Sequence, residues 1–203
     1  MLILNIAGGK FEPLSIGKEN RLIPRYTLNV DTSYFTKTTP DYIESEINQW
    51  LKDPDRISMS NNLNINIFEF MERTSLKFDR VVIYRFLEHV SFTQVEYFLY
   101  LVSTVTKKYS KVDVIVPNYK HLAQMILDED SYKNNPDFNF QSHNILLTTE
   151  LLNEPSCAHA SIWTPERIKY FWELENRFKV FETNPSFEFD GRCIYLRSII
   201  ERI

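Results

Sequence analysis

The sequence predicts one α/β domain: a Rossmann-like, seven-stranded, mostly parallel sheet with an antiparallel last strand and helices on both faces. Three observations support this fold class. Short apolar runs of strand length alternate with segments whose apolar residues recur at helical spacing. The first run, Leu2–Ala7, is almost entirely apolar and leads into two glycines, as buried parallel strands often do. The chain closes with two strand-like segments around an Asp190-Gly191 turn.

The first half of the chain predicts three strands and two helices. Tyr26–Val30 is the second strand, and the prolines and glycine within Lys10–Arg25 argue against a long helix before it. Thr39-Pro40-Asp41 combines a capping residue with proline in the first turn, which predicts a helix start. Apolar residues alternate with asparagines over Leu63–Ile67 and predict the third strand. A short helix is expected over Phe68–Thr74.

The second half continues the alternation. The predicted strands are Val81–Tyr84, Val112–Val116, Lys179–Thr183 and Cys193–Ile199. Ser91-Phe-Thr-Gln94 has the pattern of a capping box and predicts the start of a helix. Further helices are expected over Tyr119–Asp128 and, after a Thr-Pro start, Thr164–Asn176. Residues 118–163 interrupt the alternation, so we interpret them as an insertion that covers the substrate within a single domain of residues 1–203.

Composition excludes several classes of protein. The chain has 203 residues, enough for one domain with a sizeable core, and 43% of them are hydrophobic. Its net charge of −4 argues against a broad basic surface for nucleic acid. No apolar run approaches the roughly 20 residues that cross a membrane. With no basic leader before an apolar segment, the sequence predicts a cytoplasmic protein.

The histidines and cysteines do not predict a metal centre. His121, His143 and His159 are scattered without the spacing of metal ligands. The two cysteines, Cys157 and Cys193, form no CxxC motif and are more typical of buried apolar-like groups than of a disulfide or metal site.

Two motifs near the start predict a nucleotide-type ligand. Ala7, Gly8 and Gly9 follow the first strand, where a backbone without bulky side chains can approach a ligand closely. Asp31 follows the second strand, where a carboxylate can accept hydrogen bonds from both hydroxyls of a ribose. In parallel sheets such ligands bind at the carboxyl edge.

Four stretches, taken in order, resemble the class I S-adenosylmethionine-dependent methyltransferases, and most closely a small bacterial and phage branch of them. They are Leu2–Gly9, Tyr26–Asp31, Phe78–Val90 and Val112–Pro117. The resemblance implies S-adenosyl-L-methionine as the cofactor. The chain departs from the family pattern at Asn5, where an acid is usual, and at Lys107–Lys111, where a Pro-Gly-Gly turn is usual.

The resemblance also implies roles for individual residues. Asn66 corresponds to the residue that meets the adenine amino group, and Arg85 and Phe86 to those that line the methionine and the methyl group. Leu87 and Glu88 are expected to anchor their loop. His89 and His159 are the candidate catalytic residues: His89 as a base for a substrate hydroxyl, and His159 as a residue that faces the substrate. For each of these residues a purely structural role is the alternative.

Three functions are compatible with these patterns. The first is in-line methyl transfer to an oxygen or nitrogen of a small molecule or glycan; because positioning supplies much of the rate, few acid–base groups are required. The second is a methyltransferase-like protein without catalysis that serves as a binding or assembly component, for example of a virion in a host cytoplasm. It would present aromatic residues of Phe138–Phe140 and around Trp163 to a protein partner. The third, a dehydrogenase, is disfavoured because Pro13 and Gly17 stand where the helix after its glycine motif would begin.

Overall fold

In the computed structural model, the described residues are 1–6, 26–31, 44–45, 47–49, 52–53, 62–63, 65–128, 159–189 and 192–203. They form a seven-stranded sheet of order β3-β2-β1-β4-β5-β7-β6. Its strands are β1 (Leu2–Ile6), β2 (Tyr26–Val30), β3 (Asn62–Leu63), β4 (Phe78–Tyr84), β5 (Thr106–Pro117), β6 (Phe178–Phe189) and β7 (Arg192–Arg202). The sheet confirms the predicted fold class.

Strands β1 to β5 pair in parallel, and β7 pairs antiparallel with both β5 and β6. On one side of β1 the sheet continues with β2 and then β3. On the other side of β1 it continues with β4 and then β5. The switch point therefore lies between β1 and β4, which is where ligands of open α/β sheets bind. Ile6 pairs with both Val30 and Ile83, so these three strands end at the same edge.

Both faces of the central sheet are covered. All five residues of β1 are buried, and so are five consecutive residues of β4 from Arg80 onward. Because neighbouring side chains of a strand point to opposite faces, an unbroken buried run requires cover on both sides. The described helices are α1 (Ile67–Arg73), α2 (Phe92–Val105), α3 (Tyr119–Leu127) and α4 (Pro165–Glu173), with a 3-10 turn at Leu87–His89. Residues 44–45, 47–49 and 52 are also helical, as predicted from Thr39-Pro40-Asp41.

A buried charge network ties β4, β5 and β7 together. The carboxylate of Asp113, fully buried on β5, accepts a hydrogen bond from Arg80 Nε at 2.7 Å and one from Arg197 Nη2 at 2.9 Å. Arg80 is itself 9% exposed. With two positive partners, the buried carboxylate is compensated.

Several local predictions differ from the structure. The third strand ends at Leu63, and Ile67 begins α1, because Asn66 Oδ1 accepts hydrogen bonds from the backbone N–H groups of Phe68 and Glu69 and so caps a helix. The capping box at Ser91 does not form: its hydroxyl donates to Gln94 Oε1, although α2 does begin at the next residue. Strand β5 begins before the predicted strand and includes Lys107–Lys111, with Tyr109 at a φ of 62°.

Other sequence predictions are confirmed. Thr164 caps α4, its hydroxyl accepting from Arg167 N, with Pro165 in the first turn. The final antiparallel pair is present and longer than predicted. The Lys10–Arg25 segment, the Asp190-Gly191 turn and most of the predicted insertion lie outside the described residues. No helix in the described part of the chain is long and apolar enough to cross a membrane.

Candidate functional site at the carboxyl edge

Strand β2 delivers Asp31 to the carboxyl edge of the sheet. Its backbone N–H donates to Leu63 O of β3 at 3.1 Å, and its side chain is half-buried. Since Val30 pairs with Ile6, Asp31 lies about 5 Å, one strand spacing, from the point where the chain leaves β1. The predicted Ala7, Gly8 and Gly9 begin there but lie outside the described residues.

Asn5, the residue at the position usually acidic in the family, is held inside the sheet. It is 1% exposed, and its Nδ2 donates to Asn29 Oδ1 on β2 at 2.8 Å. The two residues are register partners, so their amides bridge β1 and β2 one residue before the edge. The Asn5 amide is therefore engaged with β2 inside the sheet.

Asn66 and Phe86 take part in local structure. Asn66 is exposed, and its Oδ1 caps α1; a contact of the same side chain with adenine stays a prediction. Phe86 is half-buried, with its ring centroid 5.5 Å from that of Phe98 on α2.

Arg85 follows β4 in an uncommon backbone conformation. Its φ is 47°, a left-handed value that costs a non-glycine residue on the order of 1 kcal/mol. Its N–H donates to Ile115 O at 2.9 Å, and its guanidinium lies 5.9 Å from the ring centroid of Tyr195 on β7. The side chain thus extends across β5. The contact of Arg85 with the methionine of the cofactor stays a prediction.

The loop after β4 is held by the segment 159–163, which we call the strap. The backbone N–H groups of Ala160 and Ser161 both donate to Glu88 O, at 2.7 and 3.0 Å. Ser161 Oγ and Trp163 Nε1 both donate to Leu87 O, at 3.0 and 3.2 Å. These four hydrogen bonds fix two consecutive carbonyls of the 3-10 turn.

The strap also contacts the start of α3. The N–H of Tyr119 donates to Trp163 O at 3.2 Å, and the Tyr119 hydroxyl hydrogen-bonds Nδ1 of His159. The assembly function predicts exposed aromatic residues around Trp163, and this prediction is wrong for Trp163 itself. Trp163 is fully buried and packs against Phe92 and Phe171, with ring centroids 5.8 and 5.6 Å away.

Both predicted catalytic histidines lie together at this edge. The ring centroids of His89 and His159 are 5.0 Å apart in an edge-on arrangement, and both residues are half-buried. Seventy residues separate them in the chain, and the strap brings them into contact. Imidazole is the side chain most often used as a general base, so the pair is suited to general-base chemistry.

Glu88 was expected only to help anchor its loop, and its place in this site was not predicted. It is fully buried, and burial raises the pKa of its carboxyl to about 7, opposed by its own backbone N–H and by the nearby charge of Arg85. One ligand atom each from Glu88, His89 and His159 lie within 4.8 Å of one another, so these three residues could hold a metal ion. The available signal was a carboxylate beside a histidine directly after a buried strand, but histidine spacing alone did not show the contact with His159.

Comparisons with known proteins give fold relatives at low identity. No known protein family profile and no curated protein matches this sequence. Among solved structures, a SAM-dependent methyltransferase from Methanosarcina mazei has a TM-score of 0.54 at 12% identity, covering 100% of this chain and 92% of that one. One from Archaeoglobus fulgidus has a TM-score of 0.51 at 15% identity, covering 99% and 86%.

A third similar structure is the 1,6-didemethyltoxoflavin-N1-methyltransferase of Burkholderia thailandensis. Its TM-score is 0.55 at 9% identity, covering 99% of this chain and 70% of that one. That structure contains bound 1,6-didemethyltoxoflavin and S-adenosylhomocysteine. At these identities the likeness establishes the fold and leaves chemistry to the residues of the site. The chain therefore has the fold of the class I S-adenosylmethionine-dependent methyltransferases.

Proposed function

We propose that the protein is an S-adenosylmethionine-dependent methyltransferase that transfers a methyl group to an oxygen or nitrogen of a small molecule or glycan. The observation that carries this proposal is Asp31, a half-buried carboxylate at the end of β2 and one strand from the loop after β1. A carboxylate in this position can accept paired hydrogen bonds from the two ribose hydroxyls of the cofactor.

The structural neighbours support this assignment. They include the Burkholderia N-methyltransferase with S-adenosylhomocysteine bound and a putative O-methyltransferase from Nostoc punctiforme. Oxygen and nitrogen acceptors both occur among these proteins. We extend the cofactor to this chain on the basis of the shared fold and Asp31.

In the proposed reaction, the cofactor supplies an electrophilic methyl group on a sulfonium, and the protein positions the nucleophile in line with it. Positioning of this kind can supply roughly 7–11 kcal/mol of a barrier. When neither coordinates an ion, His89 and His159 are suited to accept the proton of the acceptor, and both lie on the β4 side of the switch point. Residues 118–163, of which the structure describes both ends, are proposed to cover the acceptor.

The alternative is a protein with this fold that lacks catalysis and acts as a binding or assembly component. Asn5 favours it, because the acid usual at that position is an amide occupied with Asn29. Trp163 no longer supports it, because its ring is buried. Cofactor binding separates the two functions.

Asp31→Ala is expected to weaken binding of S-adenosylmethionine tenfold or more. The variant loses two charge-assisted hydrogen bonds of about 1.5–3 kcal/mol each, and 1.4 kcal/mol corresponds to one decade in affinity. Calorimetric titration of the full chain with S-adenosylmethionine and its demethylated product measures the effect. Asp53→Ala, at an exposed helix end, is the matched control and should leave the affinity unchanged.

Two outcomes would contradict the proposal. Equal affinity in a folded Asp31→Ala variant would remove Asp31 from the cofactor site. Absence of binding by folded wild-type protein would favour the assembly role, and purification in a stable stoichiometric complex would then be the next observation to seek.

A further inference from the structure

Glu88 carries a fully buried carboxyl group that lacks a partner on the residues around it. Neither carboxylate oxygen has a hydrogen-bond partner on another of the residues that the structure describes. Asp113, the other fully buried carboxylate described above, has two arginine partners. Burial of a carboxylate without such partners costs free energy, so a group like Glu88 requires an explanation. A bound metal ion is one explanation.

The neighbours of Glu88 are metal-ligand types. One atom each from Glu88, His89 and His159 fall within 4.8 Å of one another. At metal–ligand distances of about 2.1 Å, ligands on opposite sides of an octahedral ion lie about 4.2 Å apart, and tetrahedral neighbours about 3.4 Å apart. Movement of the side chains by several tenths of an ångström to about 1 Å brings the three atoms onto one ion.

The chain holds these ligands in place from two directions. Glu88 and His89 lie on one 3-10 turn, whose carbonyls are fixed by the strap. His159 begins the strap, and its ring is oriented by the Tyr119 hydroxyl at Nδ1. Hydrogen bonds of this kind orient histidine ligands in metal sites and fix their tautomer.

We propose that Glu88, His89 and His159 form a binding site for a divalent transition-metal ion. Two imidazoles with one carboxylate suit Zn²⁺, Fe²⁺ or Co²⁺ better than Mg²⁺ or Ca²⁺, which prefer all-oxygen sites. Three protein ligands leave at least one coordination position open, as in catalytic rather than structural sites. Water or an oxygen atom of the methyl acceptor would fill that position. The involvement of the acceptor rests on the proposed function, whereas binding of the ion does not.

Metal titration of the full chain tests the site. The protein is stripped with a chelator, desalted and titrated with Zn²⁺ by calorimetry, and with Co²⁺ by its visible absorption, without S-adenosylmethionine. One ion per chain is expected to bind. Glu88→Gln and His159→Gln each lower the affinity at least tenfold, and Tyr119→Phe lowers it about tenfold through loss of the orienting hydrogen bond.

His121→Gln is the matched control, because His121 lies on α3 outside the cluster and should leave the affinity unchanged. Circular dichroism identifies variants that fail to fold, and His159→Gln keeps the test valid if Glu88→Gln is among them. The proposal is overturned if the folded wild type binds neither ion at a one-to-one ratio, or if the cluster variants and His121→Gln bind equally well. Binding of S-adenosylmethionine is measured in a separate titration. That titration tests the proposed function whether or not the protein binds a metal ion.

Discussion

Replacement of Glu88 with glutamine is expected to stabilise the metal-free protein at pH 8 by about 3 kcal/mol. The folded state holds the pKa of Glu88 at about 7 rather than 4.5, and each unit of difference corresponds to 1.36 kcal/mol. Glutamine has nearly the same shape and no charge, so it removes the cost of burying a carboxylate that has no hydrogen-bond partner on another described residue.

The sign of the effect follows from proton binding. Below pH 4.5 Glu88 is neutral in both states, so its ionisation does not change the free energy of unfolding. Between pH 4.5 and 7 the unfolded chain releases this proton while the folded chain keeps it, so this group's contribution to the free energy of unfolding falls as pH rises. Above pH 7 the loss is complete. Arg85 carries a positive charge near this carboxyl in both proteins, and Tyr119, His89 and His159 lie close to it in both.

Denaturant unfolding of both proteins in chelator at pH 5 and pH 8 measures this difference. The variant should exceed the wild type by less than about 1 kcal/mol at pH 5 and by about 3 kcal/mol at pH 8. Glu96→Gln, an exposed position on α2, is the matched control and should show no growth with pH. A constant difference at both pH values would mean that Glu88 keeps an ordinary pKa in the folded protein.

The second large effect is expected at Trp163. Trp163→Ala should lower the free energy of unfolding by about 3–5 kcal/mol, the usual cost of deleting a buried tryptophan ring. The ring is fully buried between Phe92 and Phe171, and its Nε1 donates to Leu87 O and Ser161 Oγ. Its loss removes both core packing and one attachment of the strap.

Trp163→Phe separates these two contributions. It keeps an aromatic ring but removes the N–H donor, so a loss of about 1–2 kcal/mol is expected, since Ser161 still donates to Leu87 O. Denaturant unfolding measures both variants at a single pH. Equal losses for alanine and phenylalanine would show that the hydrogen bond, and not packing, dominates.

Strands β1 and β4 were predictable from sequence because both of their faces are buried. Leu2–Ile6 and Val81–Tyr84 therefore appear as nearly unbroken apolar runs. Predictions failed where a side chain had two available roles. Asn66 continues the alternation of a strand and is also a good helix cap, and the structure uses it as the cap.

The candidate site was predictable only in parts. Glycine and aspartate after apolar runs indicate a carboxyl-edge ligand, and the 3-10 turn with Glu88 and His89 follows such a run. Its contact with His159 depends on hydrogen bonds between residues more than 70 positions apart, which no local pattern encodes. The burial of Trp163 depends on the same long-range contact.

The hydrogen bond from Tyr119 N–H to Trp163 O holds the two ends of residues 119–163 together at the edge of the sheet. Helix α3, nine residues long, carries the chain about 14 Å away from Tyr119, while His159 lies back against the Tyr119 hydroxyl. About four extended residues span that return distance. We therefore expect that residues 129–158 can be exchanged for segments of other lengths while the sheet and its edge stay the same. Under the proposed role of the insertion, such exchanges would change the preferred acceptor.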